Sequence, residues 1–244
     1  HITFIIVIVG ALVSTNQPIH TLIKPLLIIY LSFNVLLYGG LYTLNDIADI
    51  EFDSKHPKKK NRPLASKNIS IPSAYIFALV CISYGLTMGG FYFGRNIFLM
   101  YLFFILINQV YTRIAKKIPY VEIIFNSLTY PMRFFLGILL VAGRIPYLLF
   151  TAIFLVAIVI ACSRRIIERK SPGWETRRAL RYYTEKKLRI FQIIALFFII
   201  TISIIEYPFY SIWYIIIVLS SLIFIFGVYL SDYFNNFCRR LFLS

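Results

Sequence analysis

Acid is scarce in this chain. Ten Asp and Glu face 25 Lys and Arg, and only four of the ten are Asp. The polar residues form no Ser/His/Asp arrangement of the kind that activates a nucleophile. Three cysteines, Cys81, Cys162 and Cys238, are odd in number, and two sit in apolar runs. They read as small hydrophobes, which leaves no disulfide or metal framework and no inference about redox compartment. Repeats of solenoid length and low-complexity linkers are missing too, so residues 1–244 read as a single integral membrane domain. The first apolar run lacks both a basic leading region and a small-residue cleavage site, which excludes a signal peptide. The chain begins at His1 rather than Met, and residues ahead of it are expected to be missing.

What is abundant is apolar surface. The sequence is 59% hydrophobic with a mean hydropathy of +0.78, and several uninterrupted runs come near the roughly 20 residues that cross a bilayer. Continuous rather than alternating runs exclude a strand-built barrel. The reading is an all-α, polytopic transmembrane bundle with eight spans, at 2–14, 22–45, 73–94, 96–112, 121–143, 146–163, 188–206 and 209–230. A net charge of +15 raises nucleic acid as a partner, but the distribution of charge argues against it. Six cations follow the second span, Arg113, Lys116 and Lys117 follow the fourth, and ten lie in 164–189. The opposite loops hold only Arg95 and Arg144, with Lys24 near the second span. By the positive-inside rule the basic loops are cytoplasmic, which places every charged motif on one side.

Three of the four Asp, Asp46, Asp49 and Asp53, fall within eight residues at the end of the second span. Steps of three and four on a helix confine them to an arc of roughly 60°. Crowded carboxylates at neutral pH call for raised pKa values or a cation. Mg²⁺ suits the site, since it takes one or two carboxylates and completes its shell with water and phosphate oxygens. Lys55, Lys58, Lys59, Lys60 and Arg62 follow at once, a run of cations for an anionic ligand. The plain alternative is an acidic helix end followed by a solvated basic loop.

Other polar residues interrupt the apolar runs. Asn34 stands eleven residues before Asn45, near three turns, so the two are expected to face one cavity unless Asn34 bonds a neighbouring helix. The glycines of the third span, Gly85, Gly89 and Gly90, read as close-packing sites. Asn108 and Gln109 precede Tyr111, and Lys116 and Lys117 follow, a pair that snorkelling also explains. Arg133 lies about a dozen residues into its span, a depth at which a cation should face a cavity or an anion. Asn126, two turns earlier, should share its face. Arg164 and Glu168 form an i, i+4 pair with Arg165 beside them, and Arg177 and Arg181 repeat the spacing. Ten cations against three acids in this loop exceed topology signalling, although lipid headgroups would also be drawn to it. Glu206 and Asp232, in and after the last two spans, read as packing.

These residues resemble a known group. Asn45-Asp46-x-x-Asp49-x-x-x-Asp53, with His56-Pro57, Lys60, Arg62-Pro63 and Ala65-Ser66 after it, resembles the first acidic motif of the UbiA superfamily of intramembrane prenyltransferases. Tyr111-Thr112 with Lys116 and Pro119 resembles the next cytoplasmic motif, and Arg133 with Gly137 the fifth-helix signature. Most members carry a second Asp-rich motif after the sixth helix, holding a second Mg²⁺ on a prenyl diphosphate. This chain has Arg164-Arg165-x-x-Glu168 there, which resembles the Lys-Arg-x-x-Glu pattern of the decaprenyl-phosphate phosphoribosyltransferase branch. Arg177, Leu180, Arg181, Tyr183 and Thr184 resemble a stretch of the same branch. The likeness covers about residues 22–190. It departs in two places: the usual Gly after Ala-Ser is Lys67, and eight spans are read where members have nine helices, so the ninth is expected to be absent or the chain to be cut short.

The resemblance implies a nine-helix fold with a cytoplasm-facing active-site cavity, in the plasma membrane of a prokaryote, with the oligomeric state open and a homo-oligomer allowed. It implies transfer of 5-phosphoribose from phosphoribosyl pyrophosphate to a polyprenyl phosphate. Mg²⁺ on Asp46, Asp49 and Asp53 would neutralise the departing pyrophosphate, with Asn45 supporting a metal water or donor hydroxyl. Lys58, Lys60 and Arg62 would serve the pyrophosphate side, and Lys116, Arg133, Arg164, Arg165, Arg177 and Arg181 the remaining phosphates, with Tyr111, Asn126 and Glu168 completing the substrate set. A prenyltransferase acting on a prenyl diphosphate and another acceptor is the alternative, and it should want a second Asp cluster. A cation transporter or a non-catalytic scaffold is a third reading, although transporter sites lie at mid-membrane.

Overall fold

A computed structural model describes residues 2–57, 59–171, 175 and 178–243. Every regular element among them is helical. They fall into two compact units, one made of 1–114 with 132–145 and the other of 115–131 with 146–244.

In the first unit, a short turn at Ile2–Phe4 leads into α1 (Ile5–Val13). A 37-residue helix, Ile19–Lys55, follows. It is α-helical over Ile19–Ile29 (α2), becomes a π-helix over Tyr30–Leu37, and returns to α over Tyr38–Lys55 (α3). Next come α4 (Ile71–Phe93), whose first turn is capped by Ser70, and α5 (Arg95–Arg113), which starts after Gly94 at φ 77°. The second half of α6 (Val121–Leu140), beyond Pro131, closes this unit.

Small residues set how closely these helices approach. A Cβ on Gly10 would run into the Phe134 backbone and one on Gly137 into that of Val7, so α1 and α6 meet at glycines on both sides. Gly85 of α4 likewise lies against the Ser32 carbonyl and Leu37, and Gly89 against the Tyr101 ring, in keeping with their reading as packing positions. The core is aromatic and aliphatic, including Phe33, Leu37, Leu41, Tyr101 and Phe104. Ser32 is buried, with its hydroxyl 2.8 Å from that of Tyr101.

Asn34 lies inside the π segment, whose wider turns shift the register by only a few tens of degrees before Asn45. Asn34 is buried at 4% exposure, within the packed segment.

In the second unit, α7 (Tyr147–Arg169) packs on α8 (Glu185–Leu230). Gln192 donates to the Val159 carbonyl at 3.2 Å and to Ser163 Oγ at 2.7 Å, and Ser163 donates onward to the Phe224 carbonyl at 3.1 Å. These bonds satisfy the amide nitrogen of Gln192 and the hydroxyl of Ser163, which lipid could not. Helix α8 breaks at Pro208, with Tyr210 at φ −135°, and so forms the two apolar stretches Glu185–Glu206 and Pro208–Leu230.

Seven helices among the described residues are long and apolar enough to cross a membrane, and an eighth, Ile2–Val13, is shorter. Eight apolar segments were read, and the first of them falls short of a full span. After the eighth apolar segment the chain forms one more, shorter helix, α9 (Asp232–Leu243). Hydropathy misses it because Asp232, two Asn and two Arg dilute its twelve residues, yet Cys238 on it is fully buried. Large apolar side chains face outward along the long helices, among them Ile76, Phe91, Ile204 and Phe209, the surface that a hydrocarbon solvent rewards.

Candidate active site

The acidic cluster sits on the last turns of α3, where the helix leaves its apolar stretch. Asp46 and Asp53, two turns apart, meet on one cation. Arg62 Nη1 lies 3.1 Å from Asp46 Oδ1 and 2.9 Å from Asp53 Oδ2. Asp53 is buried at 5% exposure, and Lys59 Nζ stands farther off at 3.9 Å from its other oxygen. Three carboxylates were expected to gather for a metal. The structure brings two onto one guanidinium, and among the described residues no group of three His, Cys, Asp or Glu is arranged to hold a metal ion. Asp49 is half-buried on the same helix.

The loop that delivers Arg62 is built from its own backbone. His56 ends α3 and accepts from the Lys59 amide at its Nδ1 (3.3 Å), Lys59–Asn61 forms a 3₁₀ turn, and the Ser66 amide closes on the Arg62 carbonyl at 2.8 Å. Lys67 completes the turn at φ 63°. That left-handed conformation suits glycine and costs a side chain on the order of 1 kcal/mol, a physical reason for the glycine that the resemblance leads one to expect at Lys67. Lys60 is exposed on the loop. Lys58 lies outside the described residues.

Asn45 is held from the neighbouring helix, since Thr112 Oγ1 of α5 donates to its Oδ1. Tyr111, next to Thr112, is half-buried. Arg133 on α6 is 1% exposed, with its guanidinium 4.5 Å from the centre of the Tyr38 ring, 5.2 Å from Phe104 and 5.7 Å from Phe33. The expected cavity or anion is in part an aromatic box, drawn from the π segment, α3 and α5. Cation–π contacts of this kind, out of water, contribute about 2 kcal/mol or more together.

In the second unit a different cluster is fully enclosed. Arg165 on α7 donates through Nη2 to Glu122 Oε2 at 2.6 Å, through Nε to Glu122 Oε1, and through Nη1 to Glu168. Arg165 is 1% exposed and Glu122 0%. Tyr183 joins them: its hydroxyl donates to Glu122 Oε1 at 2.9 Å and accepts from the Tyr120 amide at 3.0 Å, and its carbonyl accepts from Arg169. Burial, then the neighbouring Glu122 carboxylate, push the Tyr183 phenol well above its ordinary range, so it remains a donor.

The placement of the remaining candidates is mixed. Arg165 and Glu168, both expected at substrate, pair with each other, and Arg165 also pairs with Glu122. Arg164 is half-buried beside them. Arg181 is exposed, donating to the Glu175 carbonyl at 3.4 Å. Lys116 and Asn126 are half-buried, the Asn126 carbonyl accepting from Thr129 Oγ1 at 2.8 Å. Arg177 lies outside the described residues. Sequence reasoning missed Glu122 as a counter-ion, Tyr183 as its donor and Thr112 as the holder of Asn45. The available signal was Glu122 itself, a carboxylate at the head of an apolar run.

Comparison with known proteins bears on this arrangement. The model of the UbiA prenyltransferase family matches residues 3–239. The chain is 34% identical over 95 residues to a protoheme IX farnesyltransferase from Baumannia cicadellinicola subsp. Homalodisca coagulata, a match over 36% of this chain and 33% of that protein. It is 36% identical over 61 residues to the nodulation protein NoeC of Azorhizobium caulinodans, over 25% of this chain and 20% of that protein. The chain thus spans a third or less of the curated relatives it matches. A UbiA homologue from Archaeoglobus fulgidus, solved bound to GPP and Mg²⁺, has a TM-score of 0.77 at 16% identity, covering 98% of this chain and 90% of that one. At that identity the likeness shows the fold.

Proposed function

The chain belongs to the UbiA prenyltransferase family, which makes it an integral membrane transferase, and on that premise we propose that it transfers 5-phosphoribose from phosphoribosyl pyrophosphate to a polyprenyl phosphate, with Mg²⁺ as cofactor and its site facing the cytoplasm. One observation carries the finer reading. Where a prenyl diphosphate donor would want a second free acidic cluster, the carboxylates of Glu122 and Glu168 are both engaged by Arg165. The ten cations of 164–189 outnumber its three acids, and two phosphorylated substrates call for cations.

The acidic pair of the first unit fits a divalent ion. Two carboxylates from one helix already converge on a single cationic position, and hard oxygen donors in that number are what Mg²⁺ takes from a protein. Asp46 and Asp53, with Asp49 beside them, would hold it. Bound there, Mg²⁺ supplies neutralising charge for a departing pyrophosphate. The likeness to a Mg²⁺-bound homologue supports this assignment.

The chain's own residues do the rest. Asn45, fixed by Thr112, orients a donor hydroxyl or a water. Arg62 and Lys60 bind the pyrophosphate, and Lys116, Arg164 and Arg181 bind phosphate oxygens. Arg133, enclosed by its rings, holds a fixed positive charge within the first unit. The acceptor phosphate is already an anion at neutral pH, so no side chain has to remove a proton from it. Displacement at ribose C1 then inverts that carbon, from an α donor to a β product.

The test is an assay of detergent-purified protein with Mg²⁺, polyprenyl phosphate and labelled phosphoribosyl pyrophosphate, following label into the lipid phase. Metal-dependent transfer with inversion is expected. Retained stereochemistry would end the single-displacement mechanism. Consumption of a prenyl diphosphate with an aromatic acceptor, and no movement of ribose label, would establish prenyl transfer instead.

A further inference from the structure

Arg62 reaches from its loop to the two oxygens through which a metal would be held. Its Nη1 is within 3.1 Å of Asp46 Oδ1 and 2.9 Å of Asp53 Oδ2. Two cations cannot share those oxygens at bonding distance, because the repulsion between +1 and +2 charges a few Å apart opposes both. The Arg62 side chain is 36% exposed and Asp46 40%, so the guanidinium has an open route away, while Asp53 at 7% is the anchored partner. The loop's backbone bonds do not depend on where the guanidinium points: the Arg62 amide donates to the Lys59 carbonyl at 3.0 Å and its carbonyl accepts from Ser66.

We propose that Arg62 is an exchangeable counter-ion that couples metal loading to diphosphate binding. Resting on Asp46 and Asp53, it competes with a divalent ion for the carboxylates. When an ion arrives together with a diphosphate, the displaced guanidinium gains a planar, doubly accepting partner in the phosphate oxygens, a geometry for which Arg is suited. Metal alone therefore meets a competitor, and metal with diphosphate meets a second ligand. By linkage each strengthens the binding of the other. The proposal rests on the metal-site reading above and adds an order of preference, in which the ion enters with its diphosphate rather than before it.

Arg62→Gln separates this from the alternatives by the sign of two measurements that need no turnover. Mn²⁺ binding, counted from the electron paramagnetic resonance of free Mn²⁺ over detergent-purified protein, is expected to tighten about tenfold in the variant, the equivalent of losing a competitor worth about 1.4 kcal/mol. Binding of preformed Mg²⁺–pyrophosphate, followed calorimetrically, is expected to weaken about tenfold or more. A simple phosphate ligand would weaken only the second, and a structural brace would weaken both. Either pattern overturns the exchange. Should the variant be fragile, the same sign is read from melting: saturating Mn²⁺ raises the melting temperature of Arg62→Gln more than that of the wild type, because the stabilisation grows with ion concentration over its dissociation constant. An equal or smaller rise overturns the proposal. If the wild type and the variant bind neither Mn²⁺ nor the complex, the metal-site reading itself falls, a result distinct from loss of the sign reversal.

Discussion

Each unit contains two carboxylates bridged by one arginine, and the two clusters differ in almost everything else. In the first, Arg62 joins Asp46 and Asp53 from a loop, with the arginine and one carboxylate more than a third exposed. In the second, Arg165 joins Glu122 and Glu168 between two helices, with the arginine and Glu122 shut away from water. The same charges therefore do different work. A half-exposed pair is screened by water and contributes little stability, which leaves it free to exchange partners. A fully buried pair is costly to assemble and more costly to break, which suits it to hold helices and a loop in one arrangement. Burial, more than composition, separates a site from a brace.

The largest effect should come from breaking the brace. Arg165→Met leaves Glu122 and Glu168 without their cation, and a buried carboxylate stripped of its partner costs about 3–5 kcal/mol. The variant should melt far below the wild type in detergent, and adding Glu122→Gln should recover part of the loss by neutralising the more deeply buried orphan. A melting temperature unchanged by Arg165→Met would mean that the two clusters are alike after all. The next effect is smaller. Tyr183→Phe removes the donor to Glu122 and the acceptor for the Tyr120 amide, a loss of about 1–3 kcal/mol. It should appear as faster hydrogen exchange over residues 178–184, with the helices of the first unit unaffected. Uniform acceleration through both units would contradict a local brace.

How much of this was legible beforehand follows from how far each signal reaches. Hydropathy runs located the long helices, because a lipid-facing helix must be apolar over nearly its whole length. The same logic overlooked α9, where charged and amide residues flank the buried Cys238, and it says nothing of a π segment, which changes register without changing composition. The acidic motif was visible in spacing and in its resemblance to a family. The target of Arg62 was not, since it lies nine positions back, across the end of α3. Nor was the pairing of Glu122 with Arg165 across 43 positions, where an arginine read as substrate-binding meets a carboxylate to which the sequence reading gave no role. Lys67 is the reverse case: the resemblance marked it as unusual, and its positive φ supplies the reason.

The smallest expected effect tests whether the exposed cluster is organised around Arg62 or is merely a loose cloud of charge. Lys59 also approaches Asp53, but at 3.9 Å, with its side chain 28% exposed, a long contact worth less than about 1 kcal/mol. Lys59→Met should shift the melting temperature only slightly and change Mn²⁺ affinity by less than about threefold, the equivalent of well under 1 kcal/mol. Set beside Arg62→Gln, the comparison is between two cations near the same carboxylate that differ in geometry: one nitrogen shared between two acids against one at the edge of contact. If removing Lys59 tightened Mn²⁺ binding as much as removing Arg62, the competition would arise from net positive charge near Asp53. The bridging position of the guanidinium would then carry no special role, and the contrast with the buried cluster would reduce to solvent exposure alone.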